Sequence, residues 1–147
     1  MSGAPLDQAS EFAFARLKGA GGDISSLPTP LQTVVIVTSA QGIIDNGGLE
    51  YFYESDFDGT PPYSLFVEAY RRIGAESAAT CIENSQRMFQ IDQAHQHEKK
   101  RQEWLEAVRN NEDHEFVKLS RMICGDESVW KKLAEYVAMN DDAIHVV

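Results

Sequence analysis

An apolar stretch of unusual length constrains the fold of this chain more than any other feature. It begins at Thr29-Pro30 and ends at Asp45, with the sequence TPLQTVVIVTSAQGIID. Threonine followed by proline is typical of a helix start, and the next residues, Asn46-Gly47-Gly48, are typical of a helix end because glycine readily adopts positive φ. The stretch is also longer than an ordinary strand and predicts a helix. Residues 34–37 alone fit a buried strand, and that alternative stays open.

The apolar residues of this predicted helix do not share one face. Leu31 and Val34 lie on one side of a helical projection, whereas Val37 and Ile44 lie on another. A helix that is apolar on several sides is enclosed by other helices. We therefore expect Pro30–Asp45 to be the central helix of the fold.

The remaining chain predicts a set of shorter helices around this one. Apolar residues recur at helical spacing in segments that glycine, proline or polar turns separate. The predicted helical segments are 5–18, 49–53, 60–73, 75–89, 98–108, 112–124 and 127–139. The sequence thus predicts an all-α, single-domain bundle of about seven or eight helices over residues 1–147, with loose ends at 1–4 and 140–147.

Acidic residues outnumber basic residues and are unevenly distributed. The chain has 23 Asp and Glu against 13 Lys and Arg, a formal net charge of -10. No Lys or Arg occurs between Lys18 and Arg71. This charge disfavours direct binding to nucleic acid or to an anionic membrane, because phosphate contacts need clustered Lys and Arg. It favours a basic protein partner, or it serves only to keep the protein in solution.

The predicted partner-binding residues are carboxylates at and beyond the end of the central helix. Glu50 and Glu54 are four residues apart and share a helix face. Carboxylates on a rigid surface imitate phosphates and bind the Arg and Lys of a DNA-binding protein. The predicted set is Asp45, Glu50, Glu54, Asp56 and Asp58. We expect simultaneous charge reversal of Glu50, Glu54, Asp56 and Asp58 to abolish partner binding and to leave helicity intact.

An apolar-aromatic patch is the second hypothesis, as in an immunity-type or other interaction protein. The candidate contact residues are Tyr51, Tyr53, Phe57 and Tyr63. An exposed hydrophobic patch in the structure would favour this hypothesis. Binding that weakens steeply with salt would favour the acidic surface instead.

Sequence motifs for catalysis or cofactor binding are missing. The chain has no Walker loop, no dinucleotide-binding fingerprint and no nucleophile elbow. Glu54, Asp56, Asp58 and Gly59 imitate the first half of a calcium-binding loop, but Leu65 occupies the twelfth position, where such a loop needs Glu. We therefore expect no enzyme activity, no cofactor and no metal.

Two further features bear on the location of the protein. No apolar stretch approaches the ~20 residues of a membrane span, and the N-terminus, MSGAPLDQASEF, lacks the charged and apolar regions of a signal peptide. The two cysteines, Cys81 and Cys124, lie within helical patterns, where we expect buried and reduced thiols. The expected location is the cytoplasm.

Several of these segments together resemble a known family. They are TPLQ at the start of the central helix, IDNGGLEYFYES at its end, FVEAYRRIGAESAATCIENSQRMF after a proline-containing loop, and the apolar residues of the last helix, Trp130, Leu133, Tyr136 and Val137. Over roughly residues 27–139 the chain resembles a bacterial all-helical family that is named for a DNA-mimic protein and was long catalogued as of unknown function.

This resemblance implies an all-helical fold and an acidic surface that occupies a DNA-binding protein. The implied partner is a basic protein, such as a transcription regulator or a nucleoid protein. The resemblance brings no catalytic residues, and a homodimer stays open.

Overall fold

Helices make up the regular structure of the chain. The computed structural model describes residues 4–57 and 60–144. Within these residues it contains no strand, and the predicted all-α class is confirmed. The helices are α1 (Ala4–Gly19), α2 (Thr29–Glu54), α3 (Tyr63–Arg72), α4 (Glu76–Met88), α5 (Glu98–Val108), α6 (Glu115–Ile123), α7 (Glu127–Met139) and α8 (Asp141–Ile144). Two 3-10 turns, Ile24–Ser26 and Ala94–Gln96, precede α2 and α5.

The central helix is α2, as the sequence predicts. Most of its apolar side chains are almost completely buried, and they point to several neighbours. Helices α1, α3, α5, α6, α7 and α8 all pack on it. Because residues 34–37 lie inside this helix, the alternative of a buried strand is wrong.

The Asn46-Gly47-Gly48 segment interrupts α2. Gly47 has φ −159° and ψ 18°, and Gly48 has φ 73°, whereas residues 49–54 are helical again. The predicted short helix at 49–53 is therefore the short last part of α2. A methyl group at Gly48 would overlap the hydroxyl oxygen of Ser120 in α6. Positive φ and this close approach both favour glycine. Directly after the break, Leu49 and Glu50 contact Ser120 of α6.

The start of α6 differs from the prediction by a short turn. The predicted helix begins at residue 112, but Asn111 and Asp113 form a turn in which the Asn111 Oδ1 accepts a hydrogen bond from the Asp113 N–H at 3.1 Å. His114 then caps α6, because its Nδ1 accepts from the Phe116 N–H at 3.0 Å. Helix α7, in contrast, begins and ends at the predicted residues.

The C-terminal segment is more ordered than expected. Residues 141–144 form α8, and Ile144 is fully buried against α1, α2 and α7. Burial of this side chain offsets the entropy that is lost when the chain end becomes ordered. Residues 1–3, 58–59 and 145–147 lie outside the described residues, and with them the predicted contact Asp58.

The two cysteines occupy different environments. Both are free; Cys81 is buried in α4, whereas Cys124, directly after α6, is exposed. The Cys124 thiol lies 3.8 Å from the Asp45 carbonyl oxygen. Burial raises the pKa of the Cys81 thiol. The expectation of buried thiols is therefore correct for Cys81 and wrong for Cys124.

Candidate partner-binding site

Asp45 connects α2 with the corner between α6 and α7. Its Oδ1 accepts hydrogen bonds from Gln41 Nε2 at 2.8 Å and from the Gly125 N–H at 2.9 Å. Its Oδ2 accepts from the Trp130 indole N–H at 2.8 Å. All three donors are neutral groups, so they orient the carboxylate without compensating its charge. Since Asp45 is also exposed, it presents a fixed negative charge to solvent.

Glu50 is held by a neutral donor as well. The Ser120 hydroxyl of α6 donates a hydrogen bond to Glu50 Oε1 and accepts one from the Leu49 N–H at 2.9 Å. The Leu49 N–H directly follows the two residues with non-helical φ and ψ, where helical hydrogen bonding is interrupted. One serine therefore satisfies the backbone at the break and fixes a carboxylate beside it.

Asp126, which caps α7, extends this group of carboxylates. It directly follows Gly125, whose N–H donates to Asp45. Burial raises the pKa of Tyr70, and the nearby charges of Asp45 and Asp126 raise it further. Both carboxylates thus act on the same buried hydroxyl. Asp45, Glu50 and Asp126 lie where α2 packs against α6 and α7. We call these three residues the acidic seam.

Glu54 and Asp56 contact arginines instead of neutral donors. Glu54 forms an ion pair with Arg109, which follows α5. Asp56 accepts a hydrogen bond from Arg101 Nη2 at 3.1 Å. In both pairs the guanidinium compensates the carboxylate charge at short range. The structure therefore holds Asp45 and Glu50 against the part of the chain that runs from α6 to α7. It directs Glu54 toward Arg109 and Asp56 toward Arg101.

Arg101 is a key residue that the sequence analysis does not identify. Its side chain is only 1% exposed. Its Nε donates to the Tyr53 carbonyl oxygen at 2.8 Å, and its Nη1 donates to the Ala94 carbonyl oxygen at 2.8 Å. The Tyr53 carbonyl belongs to the last turn of α2, where carbonyl groups lack helical partners and a cation is favoured. Arg101 therefore caps the end of the central helix.

A weak sequence signal for this role exists. Arg101 belongs to the basic run Lys99-Lys100-Arg101, which is typical of a solvated surface. However, Arg101 lies four and seven residues before Leu105 and Val108, and it therefore shares their inward face on α5. Leu105 and Val108 are buried, and Arg101 is buried beside them.

The predicted aromatic contact residues divide between core and surface. Tyr53 and Tyr63 are buried, so their rings are not accessible to a partner, contrary to the prediction. The Tyr53 hydroxyl is 2.6 Å from the Ser85 Oγ, a hydrogen bond that makes this burial of a polar ring favourable. Tyr51 is 52% exposed, and Phe57 is partly buried against the core. Of the four rings, only Tyr51 is largely open to solvent.

The described residues hold neither an evident metal site nor a membrane-spanning helix. No three or more His, Cys, Asp or Glu side chains among them are grouped so as to hold a metal ion. None of the helices in that part of the chain is long and apolar enough to cross a membrane.

Comparison with known families identifies the chain. The family model described as DMP19-like protein matches residues 25–140, which contain α2 to α7. The chain belongs to the DMP19-like family. The match to the DMP19-like model includes the kinked central helix and the whole acidic seam, whereas α1 and α8 lie outside it. Comparisons of this DMP19-like protein with curated proteins and with solved structures gave no match.

Proposed function

We propose that this DMP19-like protein binds the DNA-binding surface of a protein partner and presents carboxylates where that partner would otherwise meet DNA phosphates. Membership of the DMP19-like family, over residues 25–140, is the observation that carries this proposal. The net charge of -10 and the lack of Lys and Arg in residues 19–70 support it. The proposed role is non-catalytic and belongs to the cytoplasm.

The acidic seam is the part of the surface best suited to this role. The hydrogen-bond donors that hold Asp45 and Glu50 are neutral groups and do not compensate the carboxylate charges. Both carboxylates are also oriented before binding, so little conformational freedom is lost when a partner arrives. Oriented carboxylates form strong hydrogen bonds with Arg, which also binds phosphate. Glu54 and Asp56 already have arginine partners and contribute less charge to this surface.

The contacts of Glu54 and Asp56 change how the predicted surface must be tested. Charge reversal at these positions would place a cation against Arg109 or Arg101 and repel it. Loss of binding would then be mixed with loss of stability. Neutral variants of similar size, made in matched pairs, avoid this difficulty.

The test is a capture experiment with duplex DNA as the competitor. The immobilised protein is incubated with a bacterial lysate, and retained proteins are eluted with duplex DNA or with rising salt. We expect a retained DNA-binding protein that both treatments release, because DNA and the carboxylates compete for the same Arg and Lys. Retention that neither duplex DNA nor salt disrupts would contradict the proposed function.

Two double variants then locate the contact. Asp45→Asn with Glu50→Gln is expected to weaken retention about tenfold or more, the effect of losing well-oriented charges at an interface. The matched control, Glu54→Gln with Asp56→Asn, is expected to weaken it less, because arginines already compensate those charges. Thermal unfolding of each variant checks that the fold is kept. Equal losses in the two double variants would contradict the assignment to the acidic seam.

A further inference from the structure

An apolar groove lies among α1, the first 3-10 turn, α2, α3 and the segment that follows α2. It has a volume of about 440 Å³, which is within the usual range for binding sites in proteins. Its lining includes Phe14, Val35, Ser39, Gly42, Ile43 and Phe57. The acidic seam contributes none of the residues that line it. The groove is therefore a second surface, and its use goes beyond the function proposed above.

Gly42 keeps this groove open. One wall of the groove is a face of α2 about two and a half turns long. Its residues are Val35, Ser39, Gly42 and Ile43. Apart from its two chain neighbours and the nearby backbone of α2, no atom of the described residues lies within 4 Å of the place that a Gly42 side chain would occupy. Glycine inside a helix is destabilising relative to alanine. At this position the missing side chain leaves space that a larger residue would fill.

The rim of the groove is aromatic and acidic. Phe14 is 37% exposed although it is a large apolar residue. Asp56 belongs to the lining, and 65% of its side chain remains exposed beside Arg101. Asp23 is exposed and directly precedes Ile24, another lining residue. Among the described residues, no Lys or Arg belongs to the lining. An occupant with apolar and basic side chains therefore complements both properties of the groove.

We infer that this groove binds a basic amphipathic helix of a protein partner. The apolar side chains of that helix enter the groove beside Gly42. Its Arg and Lys side chains face Asp23 and the exposed part of Asp56, whose charge Arg101 compensates only in part. An amphipathic helix in a groove is a recurrent mode of protein recognition, with anchors three or four residues apart. The groove follows α2 over residues 35–46, about three helical turns. It is therefore long enough to hold more than one apolar side chain of the bound helix.

Synthetic peptides test the chemistry of the occupant. The probe is a fluorescent helical peptide with leucines on one face and lysines on the other. One control peptide replaces leucine by serine, and another replaces lysine by glutamate. Fluorescence anisotropy is expected to show that the leucine–lysine peptide binds at least about tenfold more tightly than either control. Equal binding of either control would overturn the inference, since charge alone or apolar contact alone would then suffice.

Filling the groove tests its location. Gly42→Leu is expected to weaken binding of the leucine–lysine peptide at least about tenfold, and leucine favours the helix more than glycine does. The matched control is Ala107→Leu, at an exposed position of α5 that does not line the groove. We expect this control to bind like the wild type. Wild-type affinity in Gly42→Leu would overturn the inference.

Two further measurements keep the outcome decisive. If Gly42→Leu loses its helical circular dichroism, Ser39→Leu fills the same wall and must give the same loss of binding. Sedimentation detects a second copy in the groove, because a wild-type dimer that Gly42→Leu converts to a monomer would overturn the inference. The peptide tests are independent of the capture experiment, so peptide binding without DNA-sensitive capture would refute the proposed function alone.

Discussion

Two pairs of carboxylates in the predicted acidic surface are held in different ways, although the sequence presents them as one run. Asp45 and Glu50 accept hydrogen bonds from neutral groups of α2, α6 and α7. Glu54 and Asp56 contact Arg109 and Arg101. Both pairs are oriented, but arginines compensate the charge of the second pair, whereas the donors that hold the first pair are neutral. The density of acidic residues in a sequence therefore does not measure the charge that a partner meets, because the donors that hold each carboxylate also matter.

The largest effect is expected on the arginine side of this comparison. Arg101→Met leaves the Tyr53 and Ala94 carbonyl oxygens without their guanidinium donor. We expect the free energy of unfolding to fall by about 3 kcal/mol, since buried groups lose charge-assisted hydrogen bonds. Urea denaturation followed by circular dichroism measures it. The control Asp56→Asn should cost about 1 kcal/mol or less, because Asp56 is exposed. A similar cost for both variants would mean that the ion pair, rather than the carbonyl contacts, matters.

The next effect concerns the break that places α2 against α6. Gly48→Ala introduces a methyl group at positive φ and against Ser120, the residue that holds Glu50. We expect a loss of about 2 kcal/mol in the free energy of unfolding. Gly42→Ala, in the same helix but in open space, is the matched control and should stabilise the protein by about 0.5–1 kcal/mol. Thermal unfolding should show a lower stability for Gly48→Ala and a higher stability for Gly42→Ala than for the wild type. A change in the same direction for both variants would contradict this expectation.

A smaller effect is expected for a carboxylate of the acidic seam. Asp45→Asn exchanges an acceptor oxygen for an amide donor, which then opposes either the Trp130 indole or the Gly125 N–H. We expect a loss of about 1 kcal/mol in the free energy of unfolding. A change in tryptophan fluorescence should accompany it, with Trp130→Phe identifying the tryptophan that responds. Unchanged stability and fluorescence would show that the seam does not join α2 to α7.

The smallest effect is a pH dependence near Arg101. Burial, followed by the charges of Arg101 and His97, lowers the pKa of His95, whose ring also approaches the Tyr63 ring. The folded state therefore disfavours the charged imidazole. The associated stability is present above the ordinary pKa of about 6.5 and is lost as the pH falls through the lowered folded pKa. His95→Gln should make the decline in unfolding free energy between about pH 7 and pH 5 shallower. An unchanged slope would contradict this.

Much of the fold could be predicted because its signals are local. Proline near the start of α2 and Asp126 at the cap of α7 mark helix starts through their own chemistry. The kink at Gly47-Gly48 could be predicted as a helix end but not as an interruption. Its geometry depends on Ser120, which is distant in the sequence. For the same reason, the apolar pattern of residues 29–45 does not predict how the helix is oriented after the kink. The burial of Tyr53 depends on that orientation and could not be predicted either.

The candidate site was less predictable because it depends on contacts between helices. Glu50 and Glu54 look equivalent in the sequence, and their difference arises only when Ser120 and Arg109 reach them from other parts of the chain. The burial of Ile144 is also hidden, since one apolar residue in a polar tail has no periodic pattern around it.

Cys124 makes the acidic seam observable in the native protein. The chain has two cysteines, of which Cys81 is buried with a raised thiol pKa and Cys124 is exposed beside Asp45. A thiol-reactive fluorophore should therefore attach selectively at Cys124. The dye would lie where α2, α6 and α7 meet. Stopped-flow fluorescence could then measure the rate at which the proposed partner binds, without any engineered residue.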